Sequence, residues 1–201
     1  DFDASNFASR WAIKADSAKY NITETDTSEL ADAISPPLNH PRTVGSLGGI
    51  VASRIAREYG IGGPSHTFSS SENSGLSALE AAVRSLQNNE ISTAIVGAVD
   101  MAGDLRHLLA TDQLRPYSRS GGSVPFNKGS DGAFPGEGAV ALILKRKDDA
   151  LKDGDRILSI IKGIGKASCD SLDNKDSKIN ACIRAMDNAW KESGLDPAKA
   201  R

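Results

Sequence analysis

The stretch GGPSHTFSSSENSGLSALEAAVRSL, residues 62–86, decides the fold of this chain. Its residues 66–68, His-Thr-Phe, are aromatic and β-branched and predict a short buried strand. The serines at 69–71 are typical of a turn that leads into a helix. Apolar residues then recur every three or four positions, which predicts an amphipathic helix. The stretch is therefore a strand–turn–helix junction, where a side chain is directed outward at the positive end of a helix and enzymes commonly place a nucleophile.

This junction resembles the active-site elbow of the β-ketoacyl synthases, an acyltransferase family. The family motif runs GPS, three variable residues, then DTACSSS and a helix. The chain matches the GPS at Gly63, Pro64 and Ser65, and it places the family's Asp, Thr and Ala at Ser69, Ser70 and Ser71. The family's nucleophilic cysteine falls at Glu72. Compared with the family motif, the chain thus retains the elbow but has an acid in place of the nucleophile.

This replacement bears directly on the chemistry. A thiolate at a helix N-terminus is stabilised and attacks thioesters, whereas attack by a carboxylate would give a labile mixed anhydride. We therefore expect no elongation by the usual route. An acid or amide at this position resembles the chain-length-factor subunits, which pair with an active synthase and shape its acyl tunnel. The alternative is that Glu72 is an ordinary first-turn carboxylate, stabilised by about 0.3–1 kcal/mol.

A second motif, VPFNKGSDGAFPGEGAVALILK at residues 124–145, resembles the family pattern RPFDxxxDGFxxGEGA. Asn127 replaces the family's Asp, Ala133 replaces its gating Phe, and Phe134 comes one position later. The family's Phe lies beside the acyl entrance. The resemblance therefore places the following residues at the substrate tunnel or its entrance: Ser71, Asn73, Ala133, Phe134 and Gly136.

The same stretch makes its own structural predictions. Glycines at 129, 132, 136 and 138 predict turns with positive φ before a strand at 139–144. A dinucleotide-binding GxGxxG loop is not predicted, because there the strand comes before the glycines.

Periodicity predicts several further elements. Residues 46–59 predict a helix with its apolar side inward, at Leu47, Ile50, Val51 and Ile55. The apolar runs at 91–99 and 157–165 predict strands buried on both faces, and their alternation with helices predicts a largely parallel sheet. Residues 180–190 predict a helix with one apolar face, formed by Ile179, Cys182, Ile183, Met186 and Trp190.

Residues 1–42 are predicted to be an N-terminal helical and loop segment, which the resemblance places near a dimer interface. An apolar spacing over residues 2–13 predicts a helix. Ser28 is the predicted N-cap of a short helix that Pro36 and Pro37 end. The polar run at 22–29 is predicted to be a solvated loop.

Residues 43–201 are the expected partial β-ketoacyl synthase-like core. The resemblance implies an α/β, thiolase-like fold with layers in the order αβαβα. We expect it to be incomplete, with the later part of the first half and the start of the second, and therefore to expose apolar sheet faces. The family's catalytic histidines lie beyond the last residue, and His40, His66 and His107 match neither. Family dimers pair the strand before the elbow, so the expected dimer interface is His66, Thr67, Phe68, Ser69 and Ser70.

Composition limits the classes of function. The chain has 24 basic and 26 acidic residues and a net charge of −2, which predicts attraction to neither nucleic acid nor a membrane surface. Cys169 and Cys182 lack the spacing of a metal site and are predicted to be buried free thiols. No apolar run of about 18 residues occurs, so the expected location is cytoplasmic.

Three functions compete at this stage. The first is a non-condensing, chain-length-factor-like domain of a polyketide or polyunsaturated fatty acid synthase. Its partners would be an active ketosynthase domain and an acyl carrier protein, which presents the acyl group on phosphopantetheine; no bound cofactor is expected. The second is a malonyl-thioester decarboxylase that uses Glu72 or Asn73. The third is a serine hydrolase that uses Ser71 or Ser74, although the GxSxG pattern is not formed.

Overall fold

The structure is a computed structural model that describes residues 2–17, 19–34, 39–102, 105–122, 127–171 and 174–199. The chain divides into two compact units, residues 1–69 and 70–201. This division reflects packing within the chain. The boundary between residues 42 and 43, which was drawn from the family resemblance, stays a prediction.

The first unit is helical. Its helices are α1 (Phe2–Ser17), α2 (Glu24–Ile34), α3 (His40–Ser46) and α4 (Ile50–Glu58). The helix expected near the start of the chain is thus confirmed as α1. Helices α1 and α2 pack together around buried Ala31 and Thr27. Arg10 of α1 donates to the Ala31 carbonyl oxygen at 3.2 Å and pairs with the Asp32 carboxylate at 2.6 Å.

Residues 24–29 of the polar run at 22–29 are helical, so the prediction of a loop is wrong for them. Helix α2 begins at Glu24, four residues before the predicted cap Ser28. The Thr23 hydroxyl oxygen accepts from the Asp26 backbone N–H at 3.1 Å and donates to the Asp26 carboxylate at 2.7 Å. This exchange satisfies the helix end upstream of the position that was expected. The predicted stop at residues 36 and 37 lies outside the described residues.

The helix predicted over residues 46–59 is confirmed as α4 (Ile50–Glu58), but its start is four residues later than predicted. Helix α3 ends at Ser46 and α4 begins at Ile50, with Gly48 and Gly49 between them. Glycine is a poor helix former, which accounts for the break. The predicted inward packing is wrong, since Leu47, Val51 and Ile55 are each about half exposed.

Residues 66–68 are neither buried nor part of a ladder. The described part of the first unit contains no strand with which they could pair, so the predicted buried strand is wrong for this chain. The His66 and Phe68 rings meet edge to face at 6.3 Å. The Thr67 hydroxyl donates to the Gly48 carbonyl oxygen at 2.9 Å.

The second unit combines helices with one strand pair. Its elements are α5 (Ser74–Gln87), β1 (Thr93–Asp100), α6 (Leu105–Leu114), β2 (Gly138–Lys145), α7 (Lys147–Asp153), α8 (Lys175–Ser193) and a 3₁₀ turn (Pro197–Lys199). The strands β1 and β2 confirm the predictions at 91–99 and 139–144. They pair antiparallel, with Thr93 opposite Lys145 and Asp100 opposite Gly138, so the predicted parallel arrangement is wrong for this pair.

Helix α5 covers one face of the strand pair. Val96 is buried on this face, and a Cβ added at Gly75 would lie 2.8 Å from the Ala98 Cβ. On the other face Val99 is 70% exposed and Ile143 77% exposed. Burial on both faces, predicted for β1, is therefore wrong, whereas the exposed apolar sheet face expected of an incomplete layered fold is confirmed.

Residues 157–165 were predicted to form a buried strand, and this prediction is wrong. They form no ladder, and Leu158 is largely exposed. The segment instead lies against α8, where a Cβ at Gly163 or Gly165 would overlap backbone atoms of Ala189 and Ala185. Glycine lets the two backbones approach this closely.

Helix α8 confirms the helix predicted at 180–190 and is longer at both ends. Asn174 caps its start and Gly194, with φ of 65°, ends it. The buried side is a stripe of small residues that includes Ala181, whereas the predicted apolar face points outward and Met186 is 62% exposed. Cys182 is exposed too, so its predicted burial is wrong; Cys169 is half-buried and both thiols are free.

An ion pair connects α5 to α8. The Arg84 guanidinium contacts both carboxylate oxygens of Glu192, and the Ile164 backbone N–H donates to the same carboxylate at 3.0 Å. These bonds, with that of Arg84 the largest cause, lower the pKa of Glu192 to about 2. The pair therefore links two helices and the extended segment beside them.

Candidate functional site

The bend before α5 lies at Ser71. This residue has φ of 47°, in the left-handed region that residues other than Gly, Asn and Asp rarely adopt. The Ser74 hydroxyl oxygen accepts from the Ser70 backbone N–H at 2.8 Å and donates to the Ser71 carbonyl oxygen at 2.6 Å. The predicted elbow is therefore present as a turn, fixed by its own serines.

Glu72 follows the bend directly and precedes Asn73, the N-cap residue of α5. Its side chain is 65% exposed, and its Oε1 accepts a hydrogen bond from Arg115 Nη1 at 2.5 Å. The carboxylate thus lies between the positive end of a helix and a guanidinium group, both of which attract an anion.

The second motif lies beside the loop that follows α6. The Ser118 backbone N–H donates to the Ala133 carbonyl oxygen at 2.9 Å, and the Ala133 N–H donates to the Pro116 oxygen at 3.4 Å. Tyr117 and Ala133 form a β-bridge. The predicted tunnel position 133 is thereby tied to the backbone just after Arg115.

Asp131 organises this loop. Its carboxylate accepts from the Ser118 hydroxyl at 2.6 Å, from the Arg119 and Ser120 N–H groups at 3.0 Å each, and from the Ser120 hydroxyl at 3.1 Å. These bonds, led by that of Ser118, lower the pKa of Asp131 from 3.8 to about 2. The carboxylate is therefore a structural acceptor for three consecutive residues.

The lack of space for a side chain at residue 132 explains why a glycine follows Asp131. A Cβ at this position would lie 2.5 Å from the Ser118 nitrogen and 2.6 Å from the Tyr117 carbonyl carbon. Of the four glycines that were predicted to need positive φ, only Gly132 has it. The prediction is wrong for residues 129, 136 and 138, and the requirement at 132 is one of space.

The structure places the predicted site residues in two groups. Ser71, Glu72 and Asn73 form the elbow. Ala133, Phe134 and Gly136 lie on the exposed segment that leads into β2. Their roles at a tunnel, like those of residues 66–70 at a dimer interface, stay predictions.

Arg115 is the residue that sequence reasoning missed. It lies 43 positions from Glu72 in a loop that was predicted only to be polar, and no spacing rule connects the two residues. A lone arginine in a polar loop carries no signal of its own. The pairing becomes visible only when α6 and the elbow are placed side by side.

Other candidate chemistry is sparse in the described part of the chain. His107 is exposed, and its Nε2 lies 3.5 Å from the Thr111 hydroxyl. Among the described residues no three His, Cys, Asp or Glu side chains are grouped as metal ligands. Nor does any described helix have the length and apolarity to cross a bilayer.

The fold and the two motifs define a class of protein, those with a thiolase-like fold. A solved ketosynthase, from module 1 of the bacillaene synthase of Bacillus amyloliquefaciens FZB42, has this arrangement: the TM-score is 0.64 at 27% identity, over 79% of this chain and 29% of that one. Residues 6–150 match the family model described as "Beta-ketoacyl synthase, N-terminal domain". The chain belongs to this family.

Similar curated proteins are large synthases. The hybrid PKS-NRPS synthetase TAS1 of Gloeophyllum trabeum is 33% identical over 154 residues, 75% of this chain and 10% of that protein. The mycocerosic acid synthase-like polyketide synthase of Mycolicibacterium smegmatis is 36% identical over 187 residues, 88% of this chain and 8% of that protein. The chain thus spans a tenth or less of the length of each of these relatives.

Proposed function

We propose that this chain is part of a non-condensing, chain-length-factor-like domain that shapes the acyl tunnel of an active ketosynthase. The observation that carries the proposal is the acid at position 72. The family resemblance assigns a nucleophilic cysteine to this position, and the chain instead has a glutamate paired with Arg115. A carboxylate that attacked a thioester would form a labile mixed anhydride and not a stable thioester intermediate, so Glu72 does not replace the cysteine as a nucleophile.

The proposed partners follow from this role. A domain that guides an acyl chain without holding it covalently needs a second domain that does the condensation. The acyl group would arrive as a thioester on the phosphopantetheine of an acyl carrier protein. Similarity to polyketide synthases and to a ketosynthase supports this assignment, since such proteins contain condensing domains.

The direct test restores the nucleophile. In the complete protein that carries this sequence, Glu72→Cys is incubated with an acyl-carrier-protein thioester, and the peptide that contains residue 72 is weighed by mass spectrometry. We expect an acyl adduct on the introduced thiol, because a helix N-terminus and a neighbouring arginine both favour the thiolate. The unchanged protein should carry no adduct at residue 72.

A matched control separates position from reactivity. Glu90→Cys places a thiol on an exposed site of the same unit, after α5 rather than before it. It should stay unacylated under the same conditions. An adduct on Glu72 of the unchanged protein, or equal acylation of the two introduced thiols, would contradict the proposal. Release of acetyl carrier protein from malonyl carrier protein, lost in Glu72→Gln, would favour decarboxylation instead.

A further inference from the structure

Arg115 is held by its backbone rather than by its ion pair. Its N–H donates to the Thr111 carbonyl oxygen at 2.7 Å, which continues the last turn of α6. The Arg115 side chain is 69% exposed and that of Glu72 65% exposed. Exposed ion pairs typically contribute only about 0–1 kcal/mol. The bond between Arg115 and Glu72 is therefore too weak to fix the conformation of the loop. The conformation of the loop instead determines the position of Arg115.

The chain on the far side of Arg115 is fixed by the second motif. Pro116 and Ser118 form backbone hydrogen bonds with Ala133, and the Asp131 carboxylate receives the Ser118 hydroxyl and the next two N–H groups. The space left at Gly132 admits no side chain against this backbone. The residues just after Arg115 therefore have one well-defined path.

A second carboxylate binds one of the two arginines of this loop and not the other. Asp112, on the last turn of α6, accepts from the Tyr117 N–H at 2.8 Å and from Arg119 Nη2 at 2.5 Å. Arg119 is thus engaged by Asp112, whereas Arg115 points to Glu72. The loop carries two arginines and directs one of them to the elbow.

We infer that Arg115 is a positioning residue for the carboxylate at position 72, and that the Asp131–Gly132 pair sets the place of Arg115 through residues 116–120. The inference rests on the proposed function, in which position 72 faces the path of an acyl chain. A bare carboxylate beside an apolar chain is costly to desolvate. Pairing with Arg115 cancels its charge and orients it, so that an acid is compatible with a passing neutral acyl group.

The test compares two reagents of nearly equal size at one thiol. In the complete protein with Glu72→Cys, the alkylation of the introduced thiol is followed with iodoacetate, an anion, and with iodoacetamide, which is neutral. Mass spectrometry of the peptide that contains residue 72 keeps Cys169 and Cys182 out of the measurement. Arg115 attracts the anion, so Arg115→Gln should lower the iodoacetate-to-iodoacetamide rate ratio by about fivefold. Arg115→Lys should restore most of it.

Further variants separate positioning from a general effect on structure. Loosening of the elbow would change both rates together and leave the ratio unchanged. Arg119→Gln removes the other arginine of the loop and should leave the ratio unchanged. Asp131→Asn, or Ser118→Ala if that variant does not fold, should lower the ratio although Arg115 is still present.

Two results would overturn the inference: an unchanged ratio in Arg115→Gln, or an equal fall in Arg119→Gln. The assay contains no acyl substrate. Its outcome is therefore independent of the acylation test above, and either idea can fail alone.

Discussion

Position 72 shows how one side chain changes the chemistry of a turn that is otherwise kept. The strained backbone lies one residue earlier, at Ser71. The Ser74 hydroxyl stabilises the bend, because it bonds both to the Ser70 backbone N–H and to the Ser71 carbonyl oxygen. Three successive serines predict such a turn, because their hydroxyl groups bond readily to nearby backbone. They do not predict which residue takes the left-handed conformation. The elbow could thus be predicted from the sequence, but its detailed geometry could not.

Asp131 gives a prediction about pH. Its pKa is about 2 in the folded chain, against 3.8 for an ordinary aspartate. A lowered folded pKa means that the carboxylate stabilises the loop fully above pH 3.8, and that this contribution is lost as the pH falls from 3.8 to about 2. The Ser120 amide resonance, followed by NMR, should therefore shift with a midpoint near the lower value.

Two variants check this assignment. In Asp131→Asn the shift of the Ser120 amide in this range should disappear, since the titrating group is gone. Glu192→Gln removes the other carboxylate with a pKa of about 2 and should leave the Ser120 profile unchanged. A midpoint near 3.8 in the unchanged protein would show that the loop bonds to Asp131 are absent in solution.

At the scale of elements, local pattern located α5, α8, β1 and β2, but it also predicted strands at 66–68 and 157–165 that the structure does not contain. Apolar spacing along one segment predicts α5 and α8, and short apolar runs predict β1 and β2. Which strands pair, and which face of a helix is buried, depend instead on residues far away in the sequence. Thr93 pairs with Lys145, more than fifty positions away, and no local pattern distinguishes an antiparallel partner from a parallel one. The positions of these four elements were therefore predictable from local pattern, and their arrangement was not.

Helix α8 shows the same limit in its choice of face. The large apolar residues predicted the buried side, but the segment that packs on α8 has glycines at 163 and 165. Backbones that approach this closely require small residues opposite, which selects the side with Ala181 and Ala185. Apolar patterning predicts that the large apolar side chains are buried, whereas backbones that pack this closely leave room only for small side chains.

This packing predicts a sharp effect of a single methyl group. Gly165→Ala would place Cβ where it overlaps backbone atoms of Ala185 and Ala189, so the segment has to move away from α8. We expect a loss of about 1–3 kcal/mol, seen as faster hydrogen exchange of α8 amides. Gly138→Ala is the matched control, because nothing lies within 4 Å of its added Cβ. Equal exchange rates in the two variants would contradict the packing described here.

At the scale of the whole molecule, the described residues include few buried apolar side chains and many exposed ones. One face of the strand pair is open, with Ile143 and Val99 largely exposed, and so is the outer face of α8. Exposed apolar surfaces of this kind mark places where other protein packs. The solved ketosynthase that matches 79% of this chain is itself matched over only 29% of its own length. The pairing of residues 66–70 in a dimer stays a prediction.

We propose that this domain guides an acyl chain without holding it covalently. The most direct measurement uses an acyl carrier protein whose acyl chain ends in a photoreactive diazirine, incubated with the complete protein and analysed by peptide mass spectrometry. If the domain guides the acyl chain in this way, we expect light-dependent cross-links at residues 71–73 and 133–136. We expect no adduct at residue 72 in the dark. An acyl adduct on Glu72 in the dark, or cross-links that avoid both segments, would contradict this proposal.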